Sequence, residues 1–302
     1  MTEFENVYGA PSEDLVGPTD AARQYSPLVP NAARLEDALP GSLNGLAMLA
    51  PPGTVERHYA IALALRALAP GSHLTVLAPK DKGGSRLAQD LTGLGCAITE
   101  SARRHHRICV TAGPGDALAI EDAIAAGAPR YLDDIGLWSQ PGIFSWNRID
   151  PGSALLLGHL PPLSGKGADL GCGLGVLAST VLASPKVAAL TLIDLDARAI
   201  DMARRNIEDA RATFLWADAR KLTGLAGLDF IVMNPPFHEA GHENHGLGQA
   251  FIQRAAALLR TGGTLWLTAN RHLPYEAILK PLFRRVNLVA EANGYKIYQA
   301  QK

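Results

Sequence analysis

The sequence predicts an α/β chain in two halves, each built on a sheet of parallel strands, and three observations carry that expectation. Short apolar runs that end in turn residues alternate with stretches of helical spacing, first over residues 55–112 and again from residue 153 onward. The 302 residues give room for two domains of ordinary size, and 47% hydrophobic with 19% charged residues suits a chain that buries a core. Between the two rhythmic stretches lies "YLDDIGLWSQPGIFSWNRIDPG" (131–152), rich in aromatic and turn residues. It places a boundary that divides the chain into 1–135 and 136–302, although its Trp and Phe residues argue against a free linker.

The elements follow in order. Residues 1–50 are rich in Pro, Gly and acidic residues with little periodicity, which predicts a loosely ordered acidic arm with one short helix. "VERHYAIALALRAL" (55–68) has helical spacing and stops before the turn signal "APGS". "HLTVLAP" (73–79) and "RICVTA" (107–112) have strand character, with "SRLAQDLTGL" (85–94) a helix between them. This half has no glycine-rich loop after a strand. From residue 153 the order is "GADLGCGLG" as strand and loop, "VLASTVLAS" helix, "VAALTLIDLD" strand, "ARAIDMARRNI" helix, and "ATFLWAD" strand. Then come "LDFIVMN" strand, "GQAFIQRAAALLR" helix, "GGTLWLTAN" strand, and "RRVNLVAEA" and "GYKIYQAQK" as closing strands. The shared rhythm suggests a duplicated fold with one degenerate copy.

Composition excludes several classes. No apolar run reaches the roughly 18 residues that a membrane span needs. The start, "MTEFENVYGAPSEDL", is acidic where a secretory signal is basic and then apolar, so a cytoplasmic protein is expected. Cys96, Cys109 and Cys172 form no CxxC pair, which fits a reducing compartment and predicts no metal site. Net charge is −1, unevenly spread. Residues 1–50 hold two Lys/Arg against seven Asp/Glu, residues 51–150 ten of each, and residues 151–302 sixteen against twelve. The basic excess of the C-terminal half, and clustered basic residues such as Arg103 and Arg104 upstream and Arg284 and Arg285 within it, suit a phosphate-bearing partner or an ordinary solvated surface.

Four short stretches carry chemistry. "DLGCGLG" puts Asp169 at a strand end, followed by Gly171, Gly173 and Gly175, which let the backbone turn sharply and approach a ligand closely. Taken alone this could open a nicotinamide site or be a tight turn, but a leading carboxylate suits an ammonium group better than a pyrophosphate. Asp194 ends the next strand, where an acid about 20 residues past such a loop can accept two ribose hydroxyls. Asp196 beside it reads as a helix N-cap. Asp218, in "WADAR", ends the third strand and either reaches an adenine amino group or caps a turn. The fourth stretch is "NPPF". Asn234 with a backbone carbonyl held by Pro235 and Pro236 can accept both hydrogens of one amine, and Phe237 offers a face on which a base can stack. The His-rich "FHEAGHENHG" fits no standard metal spacing and reads as a substrate loop over 238–245.

These motifs, in this order and spacing, resemble the class I S-adenosylmethionine-dependent methyltransferases. More narrowly, "PGIFSWNRIDPGSALLL" (141–157), "NPPFHEAG", "LGQAFIQRA" and "TANRHLPYE" resemble the RsmC/RlmG family, which methylates the exocyclic N2 of one guanine in ribosomal RNA. The likeness covers residues 130–302 and continues upstream through "HLTVLAPKDKGGSRL" and "SARRHH". It implies a Rossmann-like seven-stranded sheet, preceded by a degenerate methyltransferase-like α/β domain without cofactor. It implies S-adenosylmethionine held by Asp169, Gly171, Gly173, Gly175, Asp194, Asp218 and Asn234, with catalysis at Asn234, Pro235 and Phe237. The implied substrate is a guanine of 16S rRNA in the small ribosomal subunit, acted on by a monomer without metal or membrane. A 23S rRNA guanine, adenine N6 in DNA and a protein glutamine amide are the alternative acceptors. The family often has Asp after "NPPFH" where this chain has Glu239, which keeps the charge and changes the reach.

Overall fold

The computed structural model describes residues 4–17, 19–113, 115–236, 238–239, 242–243 and 245–302. They form two compact units, Met1–Pro129 and Arg130–Lys302. Among the described residues, no helix is long and apolar enough to cross a membrane.

The first unit runs β1 (Asn6–Tyr8), α1 (Glu13–Val16), β2 (Arg23–Tyr25), β3 (Leu46–Leu49), α2 (Thr54–Ala67), β4 (His73–Pro79), α3 (Leu87–Gly93), β5 (Ile98–Arg103), β6 (His106–Ala112) and α4 (Ala117–Gly127). Its sheet has the order β2-β1-β3-β4-β6-β5. The expected arm over residues 1–50 is corrected here, because it supplies three parallel strands of that sheet. Val7, Tyr8, Leu46, Ala47 and Met48 are buried. Strands of three and four residues are too short to show a period, and the acids that suggest disorder (Glu13, Asp14, Glu36, Asp37) sit in first turns of short helices. A wholly parallel sheet is also corrected: β6 runs antiparallel to β4 and β5. The β5–β6 hairpin closes on Arg104 and His105, both at positive φ (47° and 60°), a two-residue turn with no Asn-Gly signal to announce it.

The second unit opens with a hairpin, β7 (Arg130–Leu132) and β8 (Leu137–Ser139), followed by α5 (Pro151–Leu157). The alternation continues as β9 (Gly165–Leu170), α6 (Val176–Leu182), β10 (Val187–Asp194), α7 (Ala197–Asn206), β11 (Ala212–Trp216) and β12 (Leu228–Met233). A small hairpin, β13 (His238–Glu239) and β14 (His242–Glu243), leads into α8 (His245–Leu258), β15 (Leu259–Asn270), α9 (Glu276–Leu282), β16 (Arg285–Ala292) and β17 (Tyr295–Gln301). The large sheet is seven-stranded, ordered β11-β10-β9-β12-β15-β17-β16, with only β17 antiparallel to its neighbours. This is the seven-stranded Rossmann-like sheet expected from the sequence. Side chains alternate across it as strand pleating requires. Ile231, Met233, Leu265 and Leu267 pack on Phe251, Ile252 and Leu279 of α8 and α9, while Phe230, Val232 and Trp266 face Leu156, Leu177 and Ile200 of α5, α6 and α7. Gly167 is required at its place, since a Cβ there would lie 2.1 Å from the Phe230 ring.

The first sheet repeats the order of the second with its outermost strand missing: β2-β1-β3-β4-β6-β5 corresponds to β10-β9-β12-β15-β17-β16. With that register, "LAMLAPPG" (46–53) aligns with "FIVMNPPF" (230–237), so the Pro-Pro step is duplicated while Asn and Phe become Ala50 and Gly53. Arg57 of α2, 1% exposed, fills this first copy. Its Nη1 donates to the carbonyls of Pro51 (3.3 Å) and Pro52 (2.8 Å), and its Nε to Asp90 Oδ2 (2.7 Å).

Removing one partner of a buried ion pair strands the other charge, at about 3–5 kcal/mol. Asp90 keeps its contact with His58 Nε2 (2.9 Å), so Arg57→Ala should lower the stability of the first unit by no more than the low end of that range, about 3 kcal/mol, read as lost amide exchange protection in α2 and α3. Unchanged protection would contradict the pairing of Arg57 with Asp90.

Candidate functional site

In an open α/β sheet, ligands enter at the carboxyl ends of the strands where the order of connection reverses, because the flanking loops diverge there and leave a crevice. In the seven-stranded sheet that point lies between β9, from which the chain moves outward to β10 and β11, and β12, to which it returns. The predicted residues converge on it. Asp169 lies at the carboxyl end of β9 and the glycine loop follows that strand, Asp194 ends β10, Asp218 follows β11 and Asn234 follows β12. A cleft opens there, lined by Gly171 and Gly173 of the loop and by Asp150, Ser153 and Asn234.

The loop turns on three left-handed glycines: Gly171 (φ 80°), Gly173 (φ 52°) and Gly175 (φ 82°). A Cβ at Gly173 would meet nothing within 4 Å, so this glycine serves backbone conformation and leaves open space above the loop. Asp194 fastens the loop from the next strand. Its Oδ2 accepts from Gly173 N (2.8 Å) and its Oδ1 from Asp196 N (2.9 Å). Leu195 N also donates to this carboxylate, which with about four acceptor positions still has room to accept from a ligand. Burial pushes Asp194 up to about 6, against the N–H donors of Asp196 and Gly173.

Asp169 is 0% exposed, and neither of its oxygens has a hydrogen-bond partner among the described residues. Burial, then the neighbouring Asp194 carboxylate, pushes it up to about 8. A buried carboxyl without a donor is costly unless a ligand supplies one. The ammonium group of the expected cofactor fits this orphaned acid.

Asn234 is oriented by a segment that the motifs alone do not reveal. Its Nδ2 donates to Asp150 Oδ2 (2.8 Å) and Ser153 Oγ (2.9 Å), so Oδ1 is the amide atom left to accept from a ligand. Every residue of "DPGS" has a part. Asp150 caps α5 through Ser153 N (2.8 Å), Pro151 takes the first helical position, and a Cβ at Gly152 would strike the Tyr295 ring at 2.6 Å. Asp150 and its partner Asn234 lie 84 residues apart. Pro235, buried, follows Asn234. Phe144 and Arg148 line the same cleft, on a turn held by the packing of Ile143 and Trp146 against Leu174, Ala199 and Met202.

Other expectations fare differently. Asp218 is a capping residue: its Oδ1 accepts from Arg220 N (3.0 Å), and both oxygens pair with the Arg220 guanidinium. Burial opposes ionisation, but the Arg220 hydrogen bonds and charge hold its carboxyl below the ordinary range. The same Asp-Ala-Arg device caps α7 with Asp196 and Arg198, and recurs at Asp209 and Arg211. An adenine contact by Asp218 must therefore use what Arg220 leaves free. Phe237 lies outside the described residues, as do the side chains of His238, Glu239, His242, Glu243 and His245. No group of three or more potential metal ligands occurs among the described residues. Arg104 pairs with Asp14, whereas Arg103, Arg284 and Arg285 are exposed.

Residues 134–299 match the model of the methyltransferase small domain family. The chain is 30% identical to the ribosomal RNA small subunit methyltransferase C of Pseudomonas paraeruginosa (strain PA7), over 97% of this chain and 93% of the relative. It is 32% identical to the protein of the same name from Shewanella loihica, over 81% and 73%. A solved structure, the T. thermophilus 16S rRNA N2 G1207 methyltransferase (RsmC) in complex with AdoMet and guanosine, shares the fold. Its TM-score is 0.79 at 23% identity, covering 100% of this chain and 89% of that one.

The buried acid makes a pH prediction. In the fold Asp169 titrates near 8, above its ordinary value of 3.8, so the stabilising form is the neutral one. Its contribution is complete below about pH 4 and is lost as pH rises toward 8. Asp169→Asn has no such proton to lose. Denaturant titrations of the ligand-free protein should show the stability difference moving in favour of the variant between these limits and levelling above them. A pH-independent difference would contradict the burial of an ionisable Asp169.

Proposed function

Since the chain belongs to the methyltransferase small domain family, and within it to the ribosomal RNA small subunit methyltransferases C, we propose that it methylates the exocyclic N2 of a guanine in 16S rRNA, using S-adenosylmethionine. The observation that carries the site assignment is the Asn234 amide, turned with its oxygen free beside a buried acid that has no partner. An acceptor placed there suits an amine that must be held without first being deprotonated. The substrate we propose is the guanine as presented in the small ribosomal subunit, which also makes the cytoplasm the place of action and a monomer sufficient.

When bound, the cofactor supplies a methyl group on a positively charged sulfur. The chain's own groups then bind and orient. Asp194 accepts from the ribose, Asp169 pairs with the ammonium, and the loop from Gly171 to Gly175 lets the backbone approach closely. Asn234 Oδ1 and the carbonyl of Pro235 accept the two hydrogens of the guanine amine and aim its nitrogen lone pair at the methyl carbon. Held there by Asn234 and Pro235, the amine nitrogen would take the methyl from the sulfonium, whose electron pair would stay with sulfur, and would release its surplus proton to water. Asn234 is no base, so its contribution is position, for which a misplacement of about 1 Å costs on the order of a hundredfold. Phe237, by its sequence place, provides the stacking face.

Nucleoside mass spectrometry after incubation with labelled cofactor tests the reading directly. Small subunits lacking the modification should yield N2-methylguanosine, in preference to large subunits or their RNA. Asn234→Ala should keep cofactor affinity within a few-fold while the rate falls about a hundredfold. Product found only as N6-methyladenine, as methylglutamine, or in 23S rRNA would overturn the substrate and leave the fold standing.

A further inference from the structure

We infer that Asp150, seconded by Ser153, is the positioning residue that locks the Asn234 amide with its oxygen outward and so restricts the cleft to acceptor atoms that carry hydrogen. This rests on the reading of the cleft as a methyl-transfer site.

The lock follows from what each group can do. An ionised carboxylate only accepts hydrogen bonds, whereas a serine hydroxyl donates or accepts, so Ser153 alone would tolerate either orientation of the amide. Asp150 does not. Its Oδ2 lies 2.8 Å from Asn234 Nδ2. Were the amide turned over, its oxygen would face that carboxylate at hydrogen-bond distance with no proton between them. Asp150 is itself immobilised, because the same Oδ2 accepts from Ser153 N at 2.8 Å as the cap of α5. That helix is held by Pro151 at its first turn and by the close fit of Gly152 against Tyr295. A chain of contacts thus runs from β17 through α5 to the one amide oxygen that faces the cleft.

The consequence is selectivity among the atoms of one base. Guanine presents N7 and O6 as acceptors, and its N1–H and N2 amine as donors. An Asn free to turn over could hold any of them, by its oxygen or by its NH₂. Locked by Asp150, it repels N7 and O6 and takes the nitrogens that carry hydrogen. Asp150 therefore acts through Asn234 to exclude N7 and O6 from methylation.

The test must separate this role from simple helix capping. Asp150→Ser keeps a good cap but is too short to reach Asn234, while Asp150→Asn keeps both the cap and the reach. With small subunits as substrate, Asp150→Ser should lower kcat at least tenfold, leaving the calorimetric affinity for S-adenosylhomocysteine and the melting temperature close to wild type. Asp150→Asn should recover most of that rate. Equal rates for the two variants, or a kcat loss in Asp150→Asn as large as in Asp150→Ser, would overturn the inference. Should Asp150→Ser fail to fold, Asp150→Thr takes its place as a short capping residue. A second measurement needs no turnover: the side-chain amide resonance of Asn234, identified by its loss in Asn234→Ala, should be protected from hydrogen exchange in wild type and Asp150→Asn and unprotected in Asp150→Ser. Equal exchange in all three overturns the lock. A wild-type protein that forms no N2-methylguanosine overturns the function reading instead, and the resonance then decides the lock by itself.

Discussion

The reversal of strand order between β9 and β12 is the constraint on which the site depends. Parallel strands deliver their carboxyl ends to one edge, so four consecutive strand ends of the large sheet bring acids, glycines and an amide to one place. Nothing in local sequence would join Asp169, Asp194 and Asn234, which span 66 positions. Their meeting is a property of the sheet. Once the crevice exists, two further features give it a chemical bias. Burial of Asp169 and Asp194 leaves carboxyls that prefer a cation, and the α5 cap leaves an amide that can only accept.

The first unit shows what happens when the same topology keeps its shape and loses those features. Its sheet follows the same order, and its Pro-Pro step falls at the end of the corresponding strand. Yet Ala50 stands where Asn234 would be, no glycine loop follows β1, and the carbonyls of Pro51 and Pro52 are taken by Arg57. The proline carbonyls of such a step need donors when buried. In the first copy the protein supplies one from its own helix α2. We propose that this unit is a degenerate copy that supports the second or widens the surface offered to RNA.

The parts legible in the sequence are those whose signal is local. The glycine loop announces itself because only Gly accepts three left-handed positions within five residues, and the strands of the seven-stranded sheet because they are five residues or longer with apolar faces. The parts not legible depend on distance or on brevity. β1, β2 and β3 are three or four residues long, so the acidic turns around them dominated the reading of residues 1–50. The Arg104–His105 turn has an unremarkable composition. Asp218 gave a signal shared by two purposes, since the Asp-Ala-Arg step that caps a turn also ends a strand where a ligand contact is expected. Asp150 was not legible as the partner of Asn234, because the bond joins the start of helix α5 to the end of a strand 84 residues on.

One site per chain, at the β9–β12 reversal, is the central claim, and hydrogen exchange with and without S-adenosylhomocysteine tests it most directly on the full-length protein. Protection on binding should be confined to the second unit, centred on residues 169–176 and 194–196. The corresponding strand ends of the first unit, residues 8–12 and 50–53, should exchange as before. Protection in the first unit, or none at residues 169–176, would contradict the claim.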